Sequence, residues 1–134
     1  MFRPVVRNLL VVAAAGVLFG SGWLAGKEAA LTQKTVIHAA AWSAKPNMSA
    51  QDFAKFKELS AGLIGQTPGL QRIWVGKLRA PITANGITRD HGVILEFDSV
   101  ESKNAYSKDH PAEWYATFNS LRSPGSTNFD VVGE

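Results

Sequence analysis

His91-Gly92-Val93-Ile94-Leu95-Glu96-Phe97 is the stretch on which the fold turns. It is short, rich in apolar and β-branched residues, and lacks helical spacing, so it reads as a strand. Its odd positions, His91, Val93, Leu95 and Phe97, lie on one face and give the sheet a side to bury. Upstream, residues 79–90 hold Pro81, Asn85 and Gly86, which predict a loop or a hairpin connection. Before them, residues 70–78 contain Ile73-Trp74-Val75 and read as another strand. Pro68-Gly69 separates that strand from a stripe of Phe53, Phe56, Leu59, Leu63 and Ile64 at helical spacing. Ser49 is placed to cap this helix, with Asp52 as a short-armed capping-box partner. Residues 35–42, Thr-Val-Ile-His-Ala-Ala-Ala-Trp, read as the first strand.

Downstream of Phe97, Ser99 predicts the N-cap of a second helix running to about Tyr106. Asp109-His110-Pro111 interrupts it, and Pro111 suits the first position of a new helical turn. Trp114, Phe118 and Leu121 continue the apolar stripe, Pro124-Gly125 stops it, and residues 128–132 form a last strand. The order β-α-β-β-α-β predicts an α+β, ferredoxin-like domain: one four-stranded antiparallel sheet with helices on one face. The other face also carries apolar positions, which pairing with a second copy would cover.

The 134 residues suit one domain behind an N-terminal segment. Asn8 to Gly26 is uncharged over 19 residues and follows Arg3 and Arg7. This is the pattern of an export signal or of a hydrophobic helix at the short end of a bilayer span. Gly20-Ser21-Gly22 offers a small-residue cleavage site, but Trp23 follows it, and the reading favours a retained anchor. The positive start places the domain on the extracytoplasmic side, or in the periplasm or medium if the leader is cut. The division is then 1–30 for signal peptide or anchor, 31–34 for a tether and 35–134 for the domain.

The formal charge of +3 resolves into +2 in the first 30 residues and +1 in the rest, so the domain has no basic stripe for nucleic acid. Absence of cysteine removes disulfides, thiolate metal sites, a cysteine nucleophile and a lipoprotein anchor. There is no phosphate-binding loop and no nucleophile elbow.

Five stretches, in order, resemble the stress-responsive A/B barrel (Dabb) family of the dimeric α+β barrel group. They are Val36-Ile37-His38, Thr67-Pro68-Gly69-Leu70 with Val75-Gly76, Asp90 to Phe97, Tyr106 with His110-Pro111, and Phe129-Asp130-Val131. The resemblance implies a homodimer sharing a barrel, a stress-associated role and a pocket for a small apolar or aromatic molecule. In the family's plant polyketide cyclases a tyrosine works with the second histidine of His-Pro-x-His. Tyr106 matches the tyrosine, whereas Glu113 stands where that histidine would be. Three residues, not the common two, separate Tyr106 from His110.

Neutral imidazole can donate and accept a proton, so His38 and His91, on strands that could be neighbours facing a common cavity, are candidate acid/base groups. Tyr106 could polarise a carbonyl. Glu113 could act as a base in an apolar pocket, or simply favour the helix N-terminus. Trp42, Trp74 and His110 complete the candidate ligand contacts, with the competing readings of core tryptophans and of a His110 that caps a backbone amide. The histidines with Glu113 or Asp90 lack a short metal-ligand spacing. Related barrels bind haem, but no histidine here is singled out as axial, so neither metal nor cofactor is expected. The readings of function are a binding module, a small cofactor-free cyclase, lyase or monooxygenase, and a membrane-anchored structural or stress-associated interaction protein whose dimerisation is its main property.

Overall fold

A computed structural model describes residues 34–133. The segment 1–30, expected to be a signal peptide or a hydrophobic anchor helix, and most of the tether lie outside the described residues. Among the described residues, no helix is long and apolar enough to cross a membrane.

The elements are β1 (Val36–Trp42), α1 (Ala50–Ala61), β2 (Leu70–Ala84), β3 (Ile87–Phe97), α2 (Val100–Lys108), α3 (Ala112–Leu121) and β4 (Thr127–Val132). The four strands form one sheet in the order β2-β3-β1-β4, and every neighbouring pair is antiparallel. This is the expected ferredoxin-like arrangement.

Local chemistry sets the boundaries. Ser49 Oγ accepts from the Asp52 amide at 3.0 Å while the Asp52 carboxylate accepts from the Ser49 amide at 3.0 Å, so the capping box at α1 is complete. The helix ends at Ala61, earlier than its apolar stripe suggested. Leu63 is buried in the turns that follow, whereas Ile64 is exposed. Ser99 caps α2 by accepting from the Ser102 amide at 3.2 Å. Pro111 is the N-cap of α3, one position before the place expected for it.

The largest departure is between β2 and β3. Both strands extend into residues 79–90, read as a loop or a hairpin connection, and the hairpin forms: they meet in a two-residue turn, with Asn85 at φ 52° and Gly86 at φ 74°. Two positive φ values are what a type I′ hairpin turn requires. Pro81 hid the strand: it lies in the irregularity where the register passes from Lys77↔His91 to Ile82↔Arg89, a place where its missing N–H costs no ladder bond.

The core lies between the sheet and the helices. Val36, Trp42, Val93, Leu95 and Phe97 come from the sheet; Phe56, Trp114, Phe118 and Leu121 come from the helices. Trp114, Phe118 and Leu121 are buried, as their spacing predicts. The one polar link inside this layer is a relay. Trp114 Nε1 donates to Ser60 Oγ at 2.8 Å, and Ser60 Oγ donates to the Phe56 carbonyl at 2.7 Å. It satisfies an indole that would otherwise be costly to bury.

Candidate active site

Alternation in the strands decides which side chains reach the helices. In β1, His38 and Ala40 point to the helix side, as do their register partners Leu95 and Val93 in β3 and Asp130 and Asn128 in β4. Lys103 and Tyr106 share a face of α2, Trp114 and Phe118 share a face of α3, His110 lies in the link between the two helices and Arg122 directly follows the second. The two sets enclose a cavity of about 400 Å³, lined among others by His38, Lys103, Tyr106, His110, Trp114 and Arg122.

His38 is held by the strand beside it. Its Nδ1 lies 2.6 Å from Asp130 Oδ1, and Lys103 Nζ donates to the other oxygen, Oδ2, at 2.6 Å. Burial opposes the charge on Asp130, but the hydrogen bonds from Lys103 and His38 outweigh it and hold the carboxyl below its ordinary range. An ionised carboxylate only accepts, so His38 Nδ1 is the donor in this contact. Lys103, Asp130 and His38 thus form a relay in which one carboxylate holds the ammonium and orients the imidazole.

Tyr106 is buried, with ring centroids 6.2 Å from His38 and 4.8 Å from His110. Burial, with a smaller contribution from the Tyr115 phenol, pushes its pKa far up. It is therefore a protonated donor at every ordinary pH. His110 stacks on Tyr115 at 4.3 Å and 16°. Burial, aided by His38 and Lys103 and opposed by Asp109, lowers its pKa and keeps it neutral near pH 7. The arrangement supplies a phenol donor, an imidazole oriented by a carboxylate and a neutral imidazole on one wall of a cavity.

The structure brings together three of the residues singled out in the sequence, His38, Tyr106 and His110, and separates the others from them. His91 and His38 are on neighbouring strands and the same face, but they do not share the cavity. His91 pairs with Trp42 four positions along β1, roughly 13 Å away at strand rise. There its Nδ1 contacts Asp90 Oδ1 at 2.8 Å, and its ring packs on Trp42 and edge-on against Phe53. Trp42 is fully buried in the core. Trp74 is on the opposite face of the sheet, half exposed. Glu113 is exposed in the first turn of α3, beside Lys55 and Glu58 of α1 and not beside Tyr106. No group of three metal-ligating side chains forms among the described residues.

Lys103, Asp130, Arg122 and Tyr115 were not singled out in the sequence. The signal for Lys103 was its place three before Tyr106 on one helical face. For Asp130 it was the single acid of its strand, on the parity that faces inward. Nothing marked Arg122 beyond its place four after Phe118.

No curated protein matches the chain. Among solved structures it is similar to a hydroxynitrile lyase from Passiflora edulis, with 19% identity and a TM-score of 0.58 over 73% of this chain and 92% of that one. A dimeric ferredoxin-like protein of unknown function from Thermobifida fusca gives 16% identity and a TM-score of 0.58, over 75% and 92%. A Dabb family protein with a ferredoxin-like fold from Mesorhizobium loti gives 15% identity and a TM-score of 0.55, over 74% and 96%. At these identities the likeness is one of fold. The family model of the stress responsive A/B barrel domain matches residues 36–124, which is most of the described domain, and the chain belongs to that family.

Proposed function

We propose that this chain is a homodimeric, stress-associated binding module on the extracytoplasmic side of a membrane, whose cavity holds a small aromatic molecule. The observation that carries the reading is the cavity between sheet and helices. Its volume of about 400 Å³ falls in the range of small-ligand sites, and Tyr106, Trp114, Tyr115 and Phe118 line it with aromatic surface. The polar wall of His38, Tyr106 and His110 favours a molecule with a carbonyl or hydroxyl over a plain hydrocarbon. The apolar outer face of the sheet and the dimeric relative from Thermobifida fusca support the dimer. The charge pattern of the leader supports the location.

Native mass spectrometry of the full chain, released from a mild detergent, tests this reading. A dimer that carries a small-molecule adduct, lost in Tyr106→Phe and His38→Ala, is the expected result. A protein that carries no adduct and takes up no aromatic carbonyl compound when one is offered would overturn it.

A second reading is favoured by the Lys103–Asp130–His38 relay. An imidazole held through Nδ1 on an ionised carboxylate is the arrangement that a general base uses, beside a phenol that can polarise a carbonyl. In this reading Tyr106 donates to a carbonyl oxygen and His38 Nε2 removes the proton from the adjacent carbon. Deuterium uptake at the methyl group of acetophenone, followed by NMR, should then be faster with the protein than with His38→Ala. Equal rates would remove the enzyme reading and leave the binding one standing.

A further inference from the structure

Four cationic or potentially cationic side chains line the cavity: His38, Lys103, His110 and Arg122. Two of them already face a carboxylate, and burial disfavours the charge on a third. Lys103 and His38 share the carboxylate of Asp130. His110 is neutral. Arg122 differs, because among the described residues its guanidinium has no carboxylate within ion-pair distance.

Its surroundings hold it in place without neutralising it. Nε donates to Asn119 Oδ1 at 2.8 Å, Nη1 donates to Ser126 Oγ, and the guanidinium lies over the Phe118 ring at 4.9 Å. The C-terminal carbonyls of α3, which Arg122 follows, offer partial negative charge only. Nη2 is engaged with neither neighbour. Ser126 and Asn128 line the cavity beside it, and both can complete the hydrogen bonds of a bound oxyanion. A guanidinium fixed by two hydrogen bonds and an aromatic face has already lost the rotamer freedom that anion binding would otherwise cost.

We infer that the cavity takes an aromatic carboxylic acid as its anion, with the carboxylate on Arg122, Ser126 and Asn128 and the ring between the sheet and the aromatic side chains of α2 and α3. Tyr106, His38 and His110 then meet the ring or its carbonyl or hydroxyl substituent. The inference rests on the cavity being a small-molecule site and adds the charge of its occupant. A neutral isostere loses the ionic contact while it keeps the ring contacts, which makes the claim separable from the existence of the site.

The test compares 6-hydroxy-2-naphthoate with 6-hydroxy-2-naphthamide on the full chain by isothermal titration, with Arg122→Gln and Arg122→Lys beside the wild type. The acid should bind the wild type at least tenfold more tightly than the amide. That preference should vanish in Arg122→Gln with the amide's affinity unchanged, and it should survive in part in Arg122→Lys. If the amide binds the wild type as tightly as the acid, the inference falls and the small-molecule site stands. A preference retained in Arg122→Gln also overturns it, because the charge would then be read elsewhere. If neither compound binds, the inference and the proposed site fall together. The wild-type ratio decides the matter even where Arg122→Gln does not fold.

Discussion

Gly69 shows how a single residue can join two elements. It sits at φ 75° between α1 and β2, and its carbonyl accepts from the Asp98 amide at 2.9 Å. Ser102 Oγ donates to Asp98 Oδ1 at 2.6 Å. A Cβ at Gly69 would run into both Ser102 Oγ and the Asp98 carboxylate. Gly69→Ala should therefore cost more than the roughly 1–2 kcal/mol of left-handed backbone alone, and a total near 3 kcal/mol is expected in urea unfolding. The site makes a prediction of a different kind, in pH. His110 has a folded pKa below its ordinary 6.5, so the unfolded chain binds more protons just under that value. Stability should decline as pH falls from 6.5 and level off below the folded pKa. Asp130 has a folded pKa below 3.8, so its contribution is present above 3.8 and is lost as pH falls through the folded value. Urea midpoints measured against pH should show two separate acid steps. His110→Phe, which keeps the stack on Tyr115, should remove the upper step, and Asp130→Asn the lower one. The residues of this site were half legible. His38, Tyr106 and His110 stood out because they are chemically unusual at their positions. Asp130 and Lys103 look like ordinary surface charges until the register of β4 against β1 places Asp130 opposite His38 and α2 brings Lys103 to the same carboxylate.

At the scale of elements, the helices were easier to read than the long hairpin, and the reason is where the ordering information lies. Ser49 and Asp52 close α1 within four residues, and the Trp114, Phe118, Leu121 stripe fixes the buried face of α3 by spacing alone. Ser49→Ala removes the capping hydrogen bond and should cost about 1 kcal/mol, measurable as a lower urea midpoint with no change in slope. β2 and β3 instead depend on each other across the sheet. Pro81, Asn85 and Gly86 left a loop and a hairpin connection equally open, and the lengths of the two strands were not legible from them. The arm is a strand pair because the ladder, including Thr83↔Thr88 with their hydroxyls 2.9 Å apart, satisfies its backbone. A Cβ at Gly86 meets nothing within 4 Å, although its φ is positive. Gly86→Ala should accordingly cost only the backbone term, about 1 kcal/mol, and clearly less than Gly69→Ala. A cost equal to that of Gly69→Ala would mean that the arm is tied into the domain more firmly than its exposure suggests.

At the scale of the whole molecule, the outer face of the sheet sets the next question. The register places Phe129, Ala39, Ile94 and Trp74 in one row across β4, β1, β3 and β2. Phe129 is 57% exposed, Trp74 48% and Ile94 38%. The adjacent row runs Val131, Ile37, Glu96 and Arg72, and ends in a two-pronged ion pair at 2.6 and 2.9 Å. A continuous apolar row across all four strands is unlike the scattered exposure of single hydrophobic residues that every protein surface shows. Its burial against a second copy would follow from the hydrophobic effect alone, at roughly 25 cal/mol for each Å² covered. The polar cavity lies on the opposite side of the sheet, so pairing through this row would leave its entrance uncovered and Arg122 able to receive a ligand. A paired substitution, Trp74→Asp with Phe129→Asp, puts two acids at the ends of the row without touching the helix side. By light scattering the wild-type chain should be a dimer and the double variant a monomer, with a weaker dimer for either single change. The variant should also keep its affinity for an aromatic acid within a few fold, because none of the residues that line the cavity is altered. A wild-type monomer would refute the pairing, whereas a monomeric variant that had lost the ligand would show that the partner copy helps to form the cavity.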